Sequence, residues 1–433
     1  MLICVKRRFV RLFLLISLTS ICVYLIYVMK VFPLALAIVA VGSGVRAHIP
    51  DSFEFTWPTL DGKPAALFAH RGEKAIMPEH TLGSYHLAAI EGAEFVEPDL
   101  VLTKDDALVC FHDLSLGGTT NVAELPEFAS KKASRTYYNG EKNVTEDDWF
   151  VQDFTLEELR KLKVLTPPIG VRPQYFNTNF NIPTFEEYLE LVQNLSTRVG
   201  RPIGLVPELK SPTHFNSLRS DKPRFFENLV LSTLQRFGYA LGDHKISRPA
   251  TVLPENTTAP AQIPAEFRGP VVIQSFDPST AEYLAKNSPF DVLMLVDERP
   301  EFFTPKGLDH VATFAKYFGP WKAAFKEGAE ADYRKRNVTF DEAQIKQMGG
   351  FLDAKQLVQE LHKRQIRAAP YTFYDAQQYK TPEKPDGYAA KKEEFYQMFD
   401  LGVDGLFVEN VPEAVELRLM WARDRALAQK KAN

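Results

Sequence analysis

From Ala65 to Val408 the chain repeats one alternation, a short apolar run of strand length followed by a stretch whose apolar residues recur at helical spacing. Strands separated by helices lie parallel, and a parallel sheet has to be covered by helices on its outer face. The strand candidates are Ala65–Ala69, Phe95–Val101, Leu108–His112, Leu205–Lys210, Val271–Ser275, Val292–Val296, His310–Tyr317, Arg367–Phe373 and Asp404–Val408. Between them, Leu82–Gly92, Phe185–Leu195, Phe225–Phe237, Ser279–Asn287, Ala354–Lys363 and Tyr388–Leu401 carry the helical pattern. Nine strands are one more than a barrel of eight needs. Leu108–His112 follows the polar turn Lys104-Asp105-Asp106 and reads as the return arm of a hairpin, with Thr103 facing Ala107 or Leu108 and His112 opposite Pro98 or Asp99. The other eight predict an α/β fold, a TIM (β/α)8 barrel with a small insertion after an early strand hairpin. One decorated barrel accounts for 433 residues.

Ligands of such a barrel meet the carboxyl ends of the strands. The first run ends in His70-Arg71-Gly72, and His112 ends the hairpin. Glu97 and Asp99 are two residues apart, so on a strand both carboxylates share a face; Glu208 and Lys210 repeat that spacing downstream. Glu97, Asp99 and Glu208 make an all-oxygen donor set, which suits Ca²⁺ or Mg²⁺ rather than zinc. Arg71 and Lys210 supply positive charge for a phosphate, and two histidines of near-neutral pKa serve as base and acid. Phe276, Trp321, Tyr371 and Phe373 fall near strand ends, where they form an apolar wall or a cation–π surface for a choline head group. His80, His86, His214, His310 and His362 are read as surface or packing groups, and Cys110 as a packing residue.

The blocks AHRG (69–72), PEHT (78–81), EGAEFVEPDLVLTKDDALVCFHD (91–113) and PELK (207–210) resemble the signature of the glycerophosphodiester phosphodiesterase family. IPTFEEYLEL, VVIQSFDPSTAEYL, RAAPYTF and LGVDGLFVEN resemble its later blocks in the same order, and the stretch after His112 is similar to its secreted or periplasmic, calcium-dependent branch. The resemblance implies a phosphoric diester hydrolase with His70 and His112 as acid and base. It further implies Glu97, Asp99 and Glu208 as ligands of a divalent cation, calcium rather than magnesium, and Arg71 and Lys210 as phosphate contacts. The expected reaction is metal-dependent hydrolysis of a glycerophosphodiester, such as glycerophosphocholine, to sn-glycerol 3-phosphate and an alcohol. The alternatives are a phospholipase D-like enzyme on intact lipids and a non-catalytic surface binding protein with this fold. The chain departs from the family's pattern with Glu409 in place of Asp and His80 where Asn is frequent; neither touches the expected ligands, so both are expected to bear on substrate fit.

Residues 1–47 read as a signal peptide or signal anchor ahead of a barrel domain at 48–433, with 113–181 as the insertion over the barrel mouth. Lys6, Arg7, Arg8 and Arg11 precede the apolar run Leu12–Met29, which is close to membrane-spanning length. A second unit from Met29 to Ala47 has the basic start, apolar core and small residues of a secretory signal, so translation starts at Met1 or at Met29. These 47 residues hold six basic and no acidic side chains; without them the formal charge moves from −4 to −10. Such a surface excludes nucleic acid as a partner, and a membrane is expected only if the segment is retained. Sequons at Asn143, Asn194, Asn256 and Asn337 fit a glycoprotein that is secreted or at the cell surface. Cys110 is the one cysteine beyond the leader, so no disulfide within the chain is expected.

Overall fold

The computed structural model describes residues 55–167, 172–242, 263–381 and 386–432. The expected leader and the Asn256 sequon lie outside the described residues. Thirteen strands occur among these residues: β1 Ala66–His70, β2 Phe95–Glu97, β3 Asp99–Leu102, β4 Leu108–Cys110, β5 Ala133–Tyr138, β6 Asn143–Asp148, β7 Ile203–Leu205, β8 Glu208–Leu209, β9 Arg268–Ser275, β10 Asp291–Val296, β11 Tyr317–Pro320, β12 Arg367–Ala368 and β13 Gly405–Val408.

The sheet runs β12-β11-β10-β9-β7-β2-β1-β13 with every neighbour parallel. Backbone bonds then close the ring, from Asp404 N–H to the Ala368 carbonyl at 2.8 Å and from Phe407 N–H to the Pro370 carbonyl at 3.2 Å. β2 and β3 are one stave interrupted at Pro98, and β7 and β8 are one stave interrupted before Pro207. Proline has no N–H for the ladder, so each stave breaks beside the carboxylate that follows it. With those breaks counted, eight staves make the barrel. β4 is the hairpin arm: Leu100 pairs with Cys110 and Leu102 with Leu108, antiparallel, which places His112 opposite Pro98.

Alternation along the staves builds the interior in layers. Phe68, Phe95, Val206, Val272, Leu293, Leu295, Ala369 and Phe407 form a buried cluster inside the ring. The residues two further along, His70, Glu97, Glu208, Gln274, Tyr371 and Glu409, keep the same inward parity at the mouth. The Phe68 ring stacks on Phe407 at 4.9 Å and tilts against Phe95 at 4.7 Å. Room for these rings comes from Gly204 and Gly405, where a Cβ would lie 2.2 Å from the rings of Phe95 and Phe68. The larger core fills the space between the staves and the outer helices.

Outer helices start where capping chemistry allows. Thr81 caps Leu82–Ile90 and Thr184 caps Phe185–Val199, each in a reciprocal capping box. The strand expected over His310–Tyr317 is a correction: Pro305–Val311 is helical and β11 starts at Tyr317. Thr304 caps that helix with Pro305 in its first turn, a start signal that outweighs the apolar run after it. In the 113–181 segment, β5 and β6 pair as a hairpin whose tip reaches across the mouth. There Glu141 accepts from the Asp297 and Glu298 N–H groups at 3.0 and 2.9 Å. Among the described residues no helix is long and apolar enough to cross a membrane.

Candidate active site

A cavity of about 270 Å³ opens at the carboxyl ends of the staves, lined in part by His70, Arg71, Glu97, His112, Glu208, Lys210, Phe276, Trp321 and Tyr371. Asp99 adjoins these residues, with one carboxylate oxygen each of Glu97, Asp99 and Glu208 within 4.8 Å of one another. Every site residue expected from the sequence therefore converges here except Phe373, which is fully buried against Phe395 in the core. Tyr371, two residues earlier, lines the cavity, and Phe276 and Trp321 flank its ring at 5.8 and 5.9 Å.

The three carboxylates are buried and held from behind. Glu97 accepts from the Arg71 N–H at 2.8 Å and from Gln274 Nε2 at 2.9 Å. Asp99 Oδ2 lies 2.8 Å from His80 Nε2 and 3.4 Å from Arg71 Nε, and Glu208 pairs with Lys210 at 2.8 Å. Burial, then Asp99 and Glu208, push the Glu97 carboxyl well above its ordinary value. Burial pushes Glu208 up to about 8 against the opposing Lys210, with Asp99 adding to the rise. For Asp99 burial opposes ionisation, but Lys210, His112 and His80 hold it well below the usual range.

This donor set fits a divalent cation. Asp99 Oδ1 is buried with no hydrogen-bond partner among the described residues. Beside it stand Glu97 and Glu208, whose charged forms burial disfavours. Hard oxygen donors of this kind bind a hard cation, which removes both costs at once.

Both histidines face the cavity with a carboxylate behind Nδ1. His112 Nδ1 is 2.5 Å from Asp113 Oδ1, and His70 Nδ1 is 3.6 Å from Glu409 Oε1. Burial and the Arg71 charge bring His70 down to about 3 and His112 to about 4, so both rings are neutral at pH 7. Arg71, at φ 62°, turns back over the site and binds Glu79 at 2.8 Å. Lys74 binds Glu79 as well, at 2.8 Å.

Sequence reasoning missed five contributors: Lys74, Glu79, Arg172, Gln274 and the supporting role of His80. The expectation that neither His80 nor Glu409 touches the ligands is corrected for His80, which contacts Asp99, while Glu409 faces His70. Stave parity was a usable signal for Gln274 and Glu409, which follow Val272 and Phe407 by two. His80 and Arg172 lie in irregular segments where no period applies.

The sequence matches the glycerophosphoryl diester phosphodiesterase family over residues 70–238 and 265–413. A glycerophosphodiester phosphodiesterase of Arabidopsis thaliana, GDPD6, is 29% identical over 365 residues, covering 81% of this chain and 85% of that protein. One from Haemophilus influenzae is 31% identical over 223 residues, covering 49% of this chain and 56% of that protein. In fold, the chain is similar to the crystal structure of a Silicibacter pomeroyi protein described as a glycerophosphoryl diester phosphodiesterase. That likeness has a TM-score of 0.51 at 18% identity and covers 84% of this chain and 98% of the other. With the family match spanning most of the barrel and both proposed histidines, the chain belongs to the glycerophosphoryl diester phosphodiesterase family.

Proposed function

We propose that this protein hydrolyses small glycerophosphodiesters, glycerophosphocholine among them, to sn-glycerol 3-phosphate and the free alcohol in a divalent-cation-dependent reaction. The observation that carries the reading is the convergence of three buried carboxylates, two neutral histidines and two cationic side chains on one cavity. Glu97, Asp99 and Glu208 would hold the cation, Ca²⁺ in preference to Mg²⁺, as the resemblance to the family's calcium-dependent branch implies. A cation held there would neutralise charge at the phosphoryl oxygens and lower the pKa of an attacking hydroxyl.

Arg71 and Lys210 hold the phosphate, each fixed by an acidic partner. One histidine takes the proton of the nucleophile at its free ring nitrogen, and the other, protonated from solvent when the anionic phosphate seats against it, gives that proton to the departing alkoxide. The Phe276, Trp321 and Tyr371 rings make the wall for the alcohol's head group. At about 270 Å³ the cavity is below the roughly 300–1,000 Å³ of drug-sized pockets. That size favours a deacylated diester over an intact phospholipid. The exposed Asn143, Asn194 and Asn337 sequons support a secreted or cell-surface glycoprotein.

The test is glycerol 3-phosphate release from glycerophosphocholine with Ca²⁺, with Mg²⁺ and after chelation. Release that needs a cation and disappears in His70→Ala and Glu97→Ala is expected. Absence of release with any cation, with activity appearing on phospholipid micelles, transfers the site to lipid hydrolysis.

A further inference from the structure

Glu409 follows β13 in register with His70 on β1, so the two side chains enter the mouth from adjacent staves. The carboxylate is almost fully buried, at 1% exposure, and is fixed from four directions. Oε2 accepts from Arg172 Nη2 at 2.5 Å and Gln378 Nε2 at 3.3 Å. Oε1 lies 3.4 Å from Lys74 Nζ and 3.6 Å from His70 Nδ1. The backbone is pinned too: its N–H donates to the Phe373 carbonyl at 3.0 Å, and its carbonyl accepts from the Ala75 N–H at 2.9 Å.

His70 Nδ1 is buried and has no hydrogen-bond partner among the described residues. Its polar neighbour there is an anion. A ring nitrogen facing a carboxylate is attracted to it as N–H and repelled as a lone pair, which sets the tautomer. We propose that Glu409 is a positioning residue for His70, selecting the Nδ1–H tautomer and turning the Nε2 lone pair toward the substrate, with Arg172 reaching from the insertion to hold Glu409 in place. The 3.6 Å separation shortens to a hydrogen bond on a small ring rotation, as such contacts do when substrate is bound. This inference rests on the reading of His70 as an acid/base group.

The test has two arms. In the first, kcat and KM are measured with glycerophosphocholine, whose alkoxide leaving group needs a proton, for wild type, Glu409→Gln, His70→Ala and the double variant, all with divalent cation present. Glu409→Gln keeps the volume and removes the charge; kcat should fall on the order of 10- to 100-fold with KM within about twofold, inside the span of acid–base contributions. In the His70→Ala background the same change should cost nothing further, because Glu409 acts through His70. An equal loss in both backgrounds overturns the proposal and leaves Glu409 as a partner of Arg172 and Lys74 alone. The second arm needs no variant: ¹⁵N shifts of the His70 ring in wild type should report protonated Nδ1, and protonated Nε2 overturns the proposal. A fully active His70→Ala sinks the acid/base reading itself, whereas an inactive one with additive losses sinks only the role of Glu409.

Discussion

His80 Nε2 and Asp99 Oδ2 lie 2.8 Å apart, both side chains buried. An ionised carboxylate only accepts, so Nε2 carries the proton and Nδ1 accepts from the Tyr85 hydroxyl at 2.8 Å. Burial lowers the His80 pKa against the pull of Asp99, which keeps the ring neutral and the chain Tyr85, His80, Asp99 directed toward the carboxylate cluster. Support of this kind fixes the direction of a ligand's lone pairs.

His80→Ala should therefore leave the fold standing and weaken divalent-cation binding by roughly 10- to 100-fold. Titration calorimetry with Ca²⁺ reads this directly, and chelator should lower the melting temperature less in the variant than in wild type. Unchanged affinity would show that Asp99 is held well enough by Arg71 alone.

Most of the site was legible because two rules act together at the staves. Period-two alternation places Glu97 above Phe95 and Glu208 above Val206, and the carboxyl ends face the ligand. The same rule would have found Gln274 and Glu409. It has no reach into the loops: Arg71 and His80 sit at φ 62° and 54°, and Arg172 comes from the insertion, 237 residues before its partner Glu409. Such contacts are set by the closed fold, not by local pattern. The one misplaced strand, His310–Tyr317, failed for a different reason. There the Thr304-Pro305 helix start overrides the apolar content that reads as a strand.

Packing inside the ring predicts a stability effect away from the chemistry. A Cβ at Gly405 would meet the Phe68 ring at 2.2 Å, and Phe68 is itself wedged between Phe95 and Phe407. Gly405→Ala should destabilise by about 1–3 kcal/mol, the usual cost of overpacking. Denaturant unfolding is the measurement; a variant as stable as wild type would mean that the three rings shift together without strain.

Acid should loosen the insertion through His214. Its Nε2 lies 2.9 Å from Gln152 Oε1, its ring packs on Tyr137 of β5, and burial, then the Arg135 and Arg219 charges, bring it down to about 4. The unfolded chain, with an ordinary value near 6.5, binds the proton first. This group's stabilisation is thus present above about pH 6.5 and is lost as pH falls toward 4. His214→Gln should lessen the decline in melting temperature between those limits by on the order of a few degrees. Parallel curves for variant and wild type would place the acid sensitivity elsewhere.

The hairpin tip depends on one carboxylate. Glu141 accepts both the Asp297 and Glu298 N–H groups, while Lys142 pairs with Glu298 at 2.7 Å and Arg299 donates to the Gly140 carbonyl at 3.0 Å. Gly140, at φ 108°, brings the tip against Phe276, where a Cβ would stand 3.1 Å from the Phe276 Cβ. Hydrogen bonds to a charged acceptor contribute about 1.5–3 kcal/mol each, so Glu141→Ala should accelerate amide exchange at Asp297 and Glu298 by roughly tenfold or more. The barrel's own melting temperature should move little, because the two-stranded hairpin adds few residues to the core. Hydrogen exchange read by mass spectrometry over residues 136–145 and 295–300 separates the outcomes. Faster exchange in both segments ties the tip to the β10 end, whereas faster exchange in the hairpin alone would mean that the β10 loop is ordered by Arg336, which binds Asp297 at 2.7 Å, and not by the insertion.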